Sequence, residues 1–420
     1  MVLNKKNQEG GKVLGSGGFG CVISPPLKCK NHFNRTPYSI DKKYISKIVE
    51  YIKDDDEMMN EIKLGSKLVK LDPNQKYFSP IINGCHFYKQ SSNDIIYQSY
   101  KPFNNNNDDD YNDDDDDDNS SKIEKCNIYD SEEYLNLISK NAGINIKEAL
   151  NSKNPLIISF FRSNYVLIFK HLCYGLYILH KNNILHRDIK SLNTMINYKI
   201  ERDKANINII DFGLSEELKK IYSLRDLYYL TYSGTDYYKP IEIIIINYML
   251  SVLKKNKYNQ IKNFKNIIVN NVIEDYKEVS EEYAEKYFFT ENGFNYNNNK
   301  LNKHNEQLLK YGNKEVIYKV FSHIYNELNE NKLSENLINT EKNIFKWDIF
   351  SLGLLFAEII IKAHINDDKA FAFVNKMITP YYWNRYDIKQ CLKDPIFKLN
   401  EKTTKKQTKK QTKKQTKKTN

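Results

Sequence analysis

The chain has 420 residues, of which 40% are hydrophobic and 13% aromatic, enough to build packed cores and too much for a wholly disordered chain. Its formal net charge is +11, but the last 20 residues hold nine lysines against one glutamate, so the preceding 400 carry only +3. The basic character is therefore a tail rather than a binding face, and at roughly 150 residues per domain the length fits two or three domains. Six cysteines, at 21, 29, 85, 126, 173 and 391, form no C-x-x-C pair and no metal-ligand spacing with histidine. Scattered reduced thiols in an intracellular protein, cytoplasmic or nuclear, are expected. The opening residues 1–12 are polar, and the longest apolar runs, 241–253 and 352–361, are short and carry Glu242 and Glu358. No transmembrane segment is expected.

In chain order, Gly15-Ser16-Gly17-Gly18-Phe19-Gly20-Cys21-Val22 reads G-x-G-x-x-G-x-V. Such a turn lets backbone amides come close to phosphate oxygens, which a Cβ would obstruct. Residues 44–49 are strand-like around Lys47. Residues 54–70 carry Met58, Ile62, Leu64, Leu68 and Val69 at helical spacing. A strand is expected over 80–88. The run 104–119 then holds nine aspartates among asparagines, a composition that predicts disorder rather than a calcium loop. A further strand fits 134–139 and is followed by a Gly143 turn; the rival register places that strand at 95–100.

Residues 156–180 read as a long, largely buried helix leading to His186-Arg187-Asp188-Ile189-Lys190-Ser191-Leu192-Asn193. Eighteen residues on, after the apolar run 207–210, comes Asp211-Phe212-Gly213. Asp188 can accept a proton from a hydroxyl. Lys190 can balance charge on a transferring phosphoryl group, and Asn193 and Asp211 are oxygen donors suited to Mg2+. Val316, Ile317, Val320, Phe321, Ile324, Tyr325 and Leu328 form one stripe at helical spacing within the 105 residues between Glu242 and Asp348. Trp347-Asp348-Ile349-Phe350-Ser351-Leu352-Gly353 follows, and the chain ends in Lys-Lys-Gln-Thr repeats.

These motifs, H-R-D-x-K-x-x-N followed by D-F-G and preceded by G-x-G-x-x-G-x-V, resemble the eukaryotic-type protein kinase superfamily, serine/threonine class. Composition and insertions look most like such kinases of large DNA viruses or AT-rich protists. The resemblance implies an α+β, bilobal fold: a small antiparallel sheet lobe with one main helix over 1–140, and a larger, mainly helical lobe over 141–400. An acidic insertion near 101–122, a partly helical insertion near 250–343 and a disordered tail over 401–420 complete it. It also implies ATP and Mg2+ as cofactors. The glycine loop and Lys47 would hold the phosphates, with Glu61 (or Glu57, one turn earlier) pairing Lys47. Ile138 would stand at the back of the adenine pocket, backbone groups of Ser139 and Asn141 would face the adenine, and Met195 would lie beneath it. Arg187 would grip a phosphate on the segment 211–242, with Thr231 the expected acceptor and Ser233 next. Thr235 would sit against Asp188 and Lys190, Glu242 would pair with Arg385, and Asp348 would support the catalytic loop.

Departures stand at Ile45, where the family has alanine, at Gly65, which suggests a loosely held helix, and at Lys239-Pro240-Ile241-Glu242 in place of A-P-E. The reading favoured is a kinase acting on serine and threonine hydroxyls of protein substrates. A pseudokinase scaffold, binding partners through insertion and tail, is the alternative. The Lys-rich tail adds possible salt-sensitive contact with nucleic acid or an anionic surface.

Overall fold

The computed structural model describes residues 12–17, 20–29, 37–51, 56–88, 133–152, 154–199, 204–218, 227, 230–231, 239–255, 265–274, 314–329 and 341–398. The acidic insertion, the rival strand at 95–100 and the Lys-rich tail lie outside them. The chain divides into two compact units, Met1–Gln75 with Ser79–Ala142, and Lys76–Phe78 with Gly143–Asn420.

The first unit is a five-stranded antiparallel sheet in the order β1-β2-β3-β5-β4. Its strands are β1 (Lys12–Gly17), β2 (Gly20–Ser24), β3 (Tyr44–Glu50), β4 (Ile81–Tyr88) and β5 (Glu133–Lys140). β5 lies between β3 and β4, so Tyr134 to Ser139 are all buried. One helix, α1 (Asp56–Leu71), covers the sheet, and Met58 and Ile62 pack with Val49, Ile81, Leu135 and Leu137.

Strand period fixes which side chains share a face. Ile45 pairs with Ser139, Ser46 with Ile138 and Lys47 with Leu137. Ile138 therefore sits opposite Ser46, on the other face from Lys47, and packs with Cys29, Ile82 and Cys85. The expected residue at the back of the adenine pocket is not Ile138; the Lys47 face offers Leu137 and Ser139.

That other face is covered by residues 25–29. The Leu27 N–H donates to Ser46 Oγ at 2.7 Å, Asn136 Nδ2 donates to the Leu27 carbonyl at 3.3 Å, and the Cys29 N–H donates to the Tyr38 hydroxyl at 3.0 Å. A disulfide joins Cys29 to Cys85, and Cys21 is also disulfide-bonded. The expectation of uniformly reduced thiols is corrected at these positions: residues 56 apart in sequence meet because the strap after β2 crosses to β4. Cys173 and Cys391 remain thiols, buried, and burial pushes both up in pKa.

The second unit opens with β6 (Ile144–Asn145), α2 (Ile146–Asn151) and α3 (Pro155–Lys181). Asn154 caps α3 by accepting from the Leu156 N–H, and Pro155 starts it, as a first-turn proline should. Then come β7 (Ile184–Leu185), a 3-10 turn (Ser191–Asn193), β8 (Thr194–Lys199), β9 (Lys204–Ile209) and β10 (Glu216–Glu217). β6, β8 and β9 form one small sheet, β7 and β10 another. Helices α4 (Ile241–Lys255), α5 (Lys314–Asn329), α6 (Glu341–Ile344), α7 (Lys346–Lys362), α8 (Asp368–Met377) and α9 (Ile388–Lys393) follow, with a helical stretch over 265–274 between α4 and α5.

α7 is the centre of this unit, buried from Lys346 to Ile360. Phe169 of α3 stacks on its Phe356 at 3.9 Å between ring centroids. By length and composition α3 could cross a membrane, but Phe161, Phe169, Leu172 and Leu176 are buried within the unit. Ile317, Val320, Phe321 and Ile324 of α5, four members of the predicted stripe, are buried too, against α4 among others.

Gly65 gives the sharpest packing constraint. A Cβ there would run into the carbonyl oxygen of Ile81. The glycine thus marks a helix held against β4, the opposite of the loose helix expected. Gly65→Ala should lower the unfolding free energy by about 1–3 kcal/mol, the usual cost of overpacking. Denaturant unfolding beside Ser66→Ala on the exposed face measures this, and equal midpoints for the two variants would disprove the close approach.

Candidate active site

In the first unit the glycine loop spans the β1–β2 turn, where Gly17 pairs with Gly20; Gly18 and Phe19 lie outside the described residues. Gly20 has φ +128, and a Cβ on it would strike the Ile48 carbonyl, so the third glycine of the motif is required by contact with β3 as well. Val22 pairs with Lys47 and shares its face, whereas Cys21 pairs with Ile48 and is fully buried on the other. Lys47 Nζ lies 3.3 Å from Glu61 Oε2. Glu61 is buried on α1 while Lys47 is half-buried, so the carboxylate fixes the amine from its protected side. The side chain of Glu57 lies outside the described residues.

Ser139 shares the face of Ile45. Asn141 departs from expectation: its N–H donates to the Lys43 carbonyl at 2.7 Å and its Nδ2 to the Lys42 carbonyl at 3.1 Å. The amide expected to read adenine is thus engaged within the unit. Asp41 builds the turn that presents those carbonyls, accepting from the Lys43 N–H and from Ser39; these bonds hold its carboxyl below the usual range.

In the second unit Asp188, Lys190 and Asn193 meet at one carboxylate oxygen. Asp188 Oδ2 lies 2.7 Å from Lys190 Nζ and accepts from Asn193 Nδ2 at 2.8 Å. Asn193 Nδ2 also donates to the Asp188 carbonyl at 3.0 Å, which turns the Asn193 Oδ1 away from Asp188. The Asn193 carbonyl accepts from the Ile210 N–H at 3.0 Å, tying the loop to the residue before Asp211. Asp211 has φ +64 and Arg187 φ +70, left-handed conformations that non-glycine residues hold only where surroundings enforce them. Met195, on β8, pairs with Asn145 and Asn208.

The enforcement comes from beneath. Asp348, in the first turn of α7, accepts from the His186 N–H on Oδ2 and from the Arg187 N–H on Oδ1, each at 2.8 Å. His180 Nε2 lies 3.1 Å from the same Oδ2. Burial pushes the Asp348 carboxyl up in pKa, but His180, by hydrogen bond and charge, and His186 outweigh it and hold it below the usual range. His186 itself packs on Phe212, with ring centroids 5.0 Å apart. Its Nδ1 accepts from the Asp188 N–H, so Nε2 donates to the Ile210 carbonyl at 3.2 Å. Phe212 also meets Phe78 edge-on at 5.9 Å. His180 went unnoticed in the sequence, where the only signal is a histidine ending an apolar helix.

Glu242, in the first turn of α4, forms a bidentate pair with Arg385; Nη2 and Oε2 are 3.1 Å apart and both side chains are buried. Arg385 also donates to the Thr379 and Lys346 carbonyls and lies over Phe350. Lys346 adds a second buried cation, donating to the Tyr382 carbonyl at 2.9 Å; burial, then Arg385, lower its pKa.

Of the candidate residues on the segment 211–242, Thr235 and Ser233 lie outside the described residues. Thr231 is fully buried, which corrects its choice as an open phosphoacceptor, and Arg187 Nη1 donates to the Leu214 carbonyl at 3.0 Å.

The model of the protein kinase domain matches residues 9–262. The chain belongs to the protein kinase family. Similar curated proteins include the serine/threonine-protein kinase mig-15 of Caenorhabditis elegans, 35% identical over 77 residues, which is 18% of this chain and 6% of that protein. Calcium-dependent protein kinase 4 of Plasmodium falciparum is 33% identical over 85 residues, 20% of this chain and 15% of the relative. The probable serine/threonine-protein kinase mkcD of Dictyostelium discoideum is 51% identical over 45 residues, 11% of this chain and 6% of the relative. The matched stretches thus span a small part of each relative. The contacts that hold the Asp188 loop and Glu242 reach past the matched span, to Asp348 and Arg385.

Arg385→Met should destabilise the kinase by roughly 3–5 kcal/mol, because it strands the Glu242 charge in the core. The double variant with Glu242→Leu should lose much less than the sum of the singles, and additive losses in urea unfolding would refute the coupling. For Asp348, whose folded pKa is depressed, the stabilisation is present above the unfolded value of about 3.9 and is lost as pH falls through the folded one. The gap in unfolding midpoint between wild type and Asp348→Asn should therefore stay open down to about pH 4 and narrow below it. A gap that instead closes on the alkaline side would refute the assignment.

Proposed function

We propose that this protein is an active kinase that transfers the γ-phosphoryl group of Mg-ATP to serine and threonine hydroxyls of protein substrates. The observation that carries this reading is the Asp188 carboxylate with Lys190 Nζ and Asn193 Nδ2 both on one oxygen, at 2.7 and 2.8 Å. A carboxylate fixed in this way can orient a hydroxyl and take its proton as the phosphoryl group departs. Lys190 faces the same event and balances the negative charge. Lys47, steadied by Glu61, supplies charge to the α- and β-phosphates, and the backbone of the glycine loop covers them.

Asn193 and Asp211 are the oxygen donors that would hold Mg2+, a hard cation, which when bound neutralises charge on the phosphates. Asn193 fits: its Nδ2 is spent on Asp188, so its oxygen is directed elsewhere. The serine/threonine preference rests on Lys190 and Thr235, and on the names of the partial relatives.

A non-catalytic scaffold is the second reading, and one observation favours it: the Asn141 amide is committed to Lys43. Phosphate transfer from labelled ATP separates the two. Asp188→Asn should cut transfer about 10²–10⁴-fold while leaving nucleotide binding in place. Folded wild type that transfers nothing to itself or to a generic protein, even after treatment with an activating kinase, would leave only the scaffold.

A further inference from the structure

The sheet face opposite Lys47 carries chemistry that phosphoryl transfer does not use. Cys21 pairs with Ile48, Ile48 with Asn136 and Asn136 with Cys85, so one row crosses β2, β3, β5 and β4 on that face. All four residues are buried, and both cysteines of the row are disulfide-bonded. The Cys29–Cys85 bridge closes a loop that contains Lys47 and Glu61. Asn136 stands beside the bridge. Its Nδ2 lies 3.5 Å from Cys29 Sγ and 3.9 Å from Cys85 Sγ, and donates to the Leu27 carbonyl at 3.3 Å. Its Oδ1 is buried, and no donor among the described residues reaches it. A disulfide can only accept, so the amide turns its N–H side to the sulfurs and leaves its oxygen unused. Two thiols would bring S–H donors to the same place and give that oxygen a partner. Leaving a buried acceptor unpaired is costly, so the asparagine favours the open pair over the bridged one.

We propose that Cys29 and Cys85 form a redox-reversible bridge that sets nucleotide affinity from the back of the sheet, with Asn136 relaying its state to the strap 25–29. The inference rests on the reading of Lys47 as a phosphate ligand given above. The bridge opens by exchange with a dithiol reductant. A thiolate of the reductant attacks one sulfur, the S–S bond breaks and a mixed disulfide forms. The second thiol of the reductant then displaces the protein sulfur. The reductant leaves as a disulfide, and two electrons and two protons end on Cys29 and Cys85. The Asn136 amide now turns its oxygen to an S–H and withdraws Nδ2 from the Leu27 carbonyl. The strap keeps only a weakened hold on Ser46 Oγ, to which the Leu27 N–H donates in the bridged state. Ser46 is fully buried and immediately precedes Lys47, so β3 loosens where the amine is seated. The bridged state therefore binds nucleotide more tightly, by about fivefold or more, the low end of ordinary coupling between two sites. Coupling is reciprocal, so bound Mg-ATP makes the bridge harder to open by the same factor.

The test equilibrates the full chain across ratios of reduced to oxidised dithiothreitol, with and without Mg-ATP. Thiols are then alkylated and assigned to individual cysteines by mass spectrometry. Circular dichroism and the Kd of a fluorescent ATP derivative are measured on the same samples. Wild type with Cys29 and Cys85 reduced should stay folded and bind the derivative about fivefold or more weakly than the bridged form, and Mg-ATP should raise the ratio for half-reduction by a similar factor. Cys29→Ser/Cys85→Ser should bind as weakly as reduced wild type and ignore the dithiol. Equal Kd in the two states of wild type, or a bridge that opens only as the fold is lost, would overturn the switch and leave the kinase reading intact. A double variant that still responds to the dithiol as wild type does would move the sensitivity to Cys21 and overturn the assignment. Absence of nucleotide binding in every state would overturn the reading of Lys47, and the switch with it.

Discussion

A single buried carboxylate holds the loop that carries Asp188, Lys190 and Asn193 in the second unit. Asp348 takes the backbone N–H groups of His186 and Arg187 on its two oxygens. Those bonds pin the chain where Arg187 must adopt a left-handed φ, an arrangement that sterics alone disfavour. With the backbone so fixed, Asp188 and Asn193 fall into contact and Lys190 closes on the same oxygen. The anchor is rigid because its helix is: α7 is buried along nearly its whole length. The same first turn supplies the Lys346 carbonyl to Arg385, whose guanidinium pairs with Glu242. One helix end therefore fixes both the Asp188 loop and the start of α4.

The first unit answers to a different constraint, the close approach of backbones. Gly20 lets the glycine loop lie on β3, and Gly65 lets α1 lie on β4. The second approach bears on the site because α1 carries Glu61. Four residues separate Glu61 from Gly65, about one helical turn, so the contact that seats the helix also sets the reach of its carboxylate to Lys47. A larger residue at 65 would act on the ion pair through the helix, without touching either partner.

Much of this was legible in the sequence because it is local. The H-R-D-x-K-x-x-N turn, the D-F-G triplet, the strand around Lys47 and the long apolar helix over 156–180 each announce themselves within a window of ten to twenty-five residues. What was misread depends on register or on distant pairing. Whether Ile138 or its neighbours face Lys47 follows from how β3, β4 and β5 align, and a slip of one residue reverses every side chain. The Cys29–Cys85 bridge needs a strap to cross two strands, which no Cys spacing announces. The contact of His180 with Asp348 joins residues 168 apart. Gly65 was misjudged for a different reason: a missing side chain reads as a loss until the neighbour that requires its absence is known.

The long stretch between Glu242 and Asp348 can be understood from the same packing. It would be costly to carry an amphipathic helix with Ile317, Val320, Phe321 and Ile324 on one side unless that side were covered, and all four are buried. Its polar edge is used as well. The His323 ring lies 4.1 Å from Trp383 and 5.6 Å from Tyr382, two and three residues before Arg385. Lys265, from the stretch before it, lies over the Tyr318 ring, and the Tyr318 hydroxyl donates to Asn266. Helix α5 thus braces the segment that positions the Arg385 guanidinium, and through it the Glu242 end of α4. A loop added only for reach would leave that segment untouched; this one is built into the core that holds the ion pair.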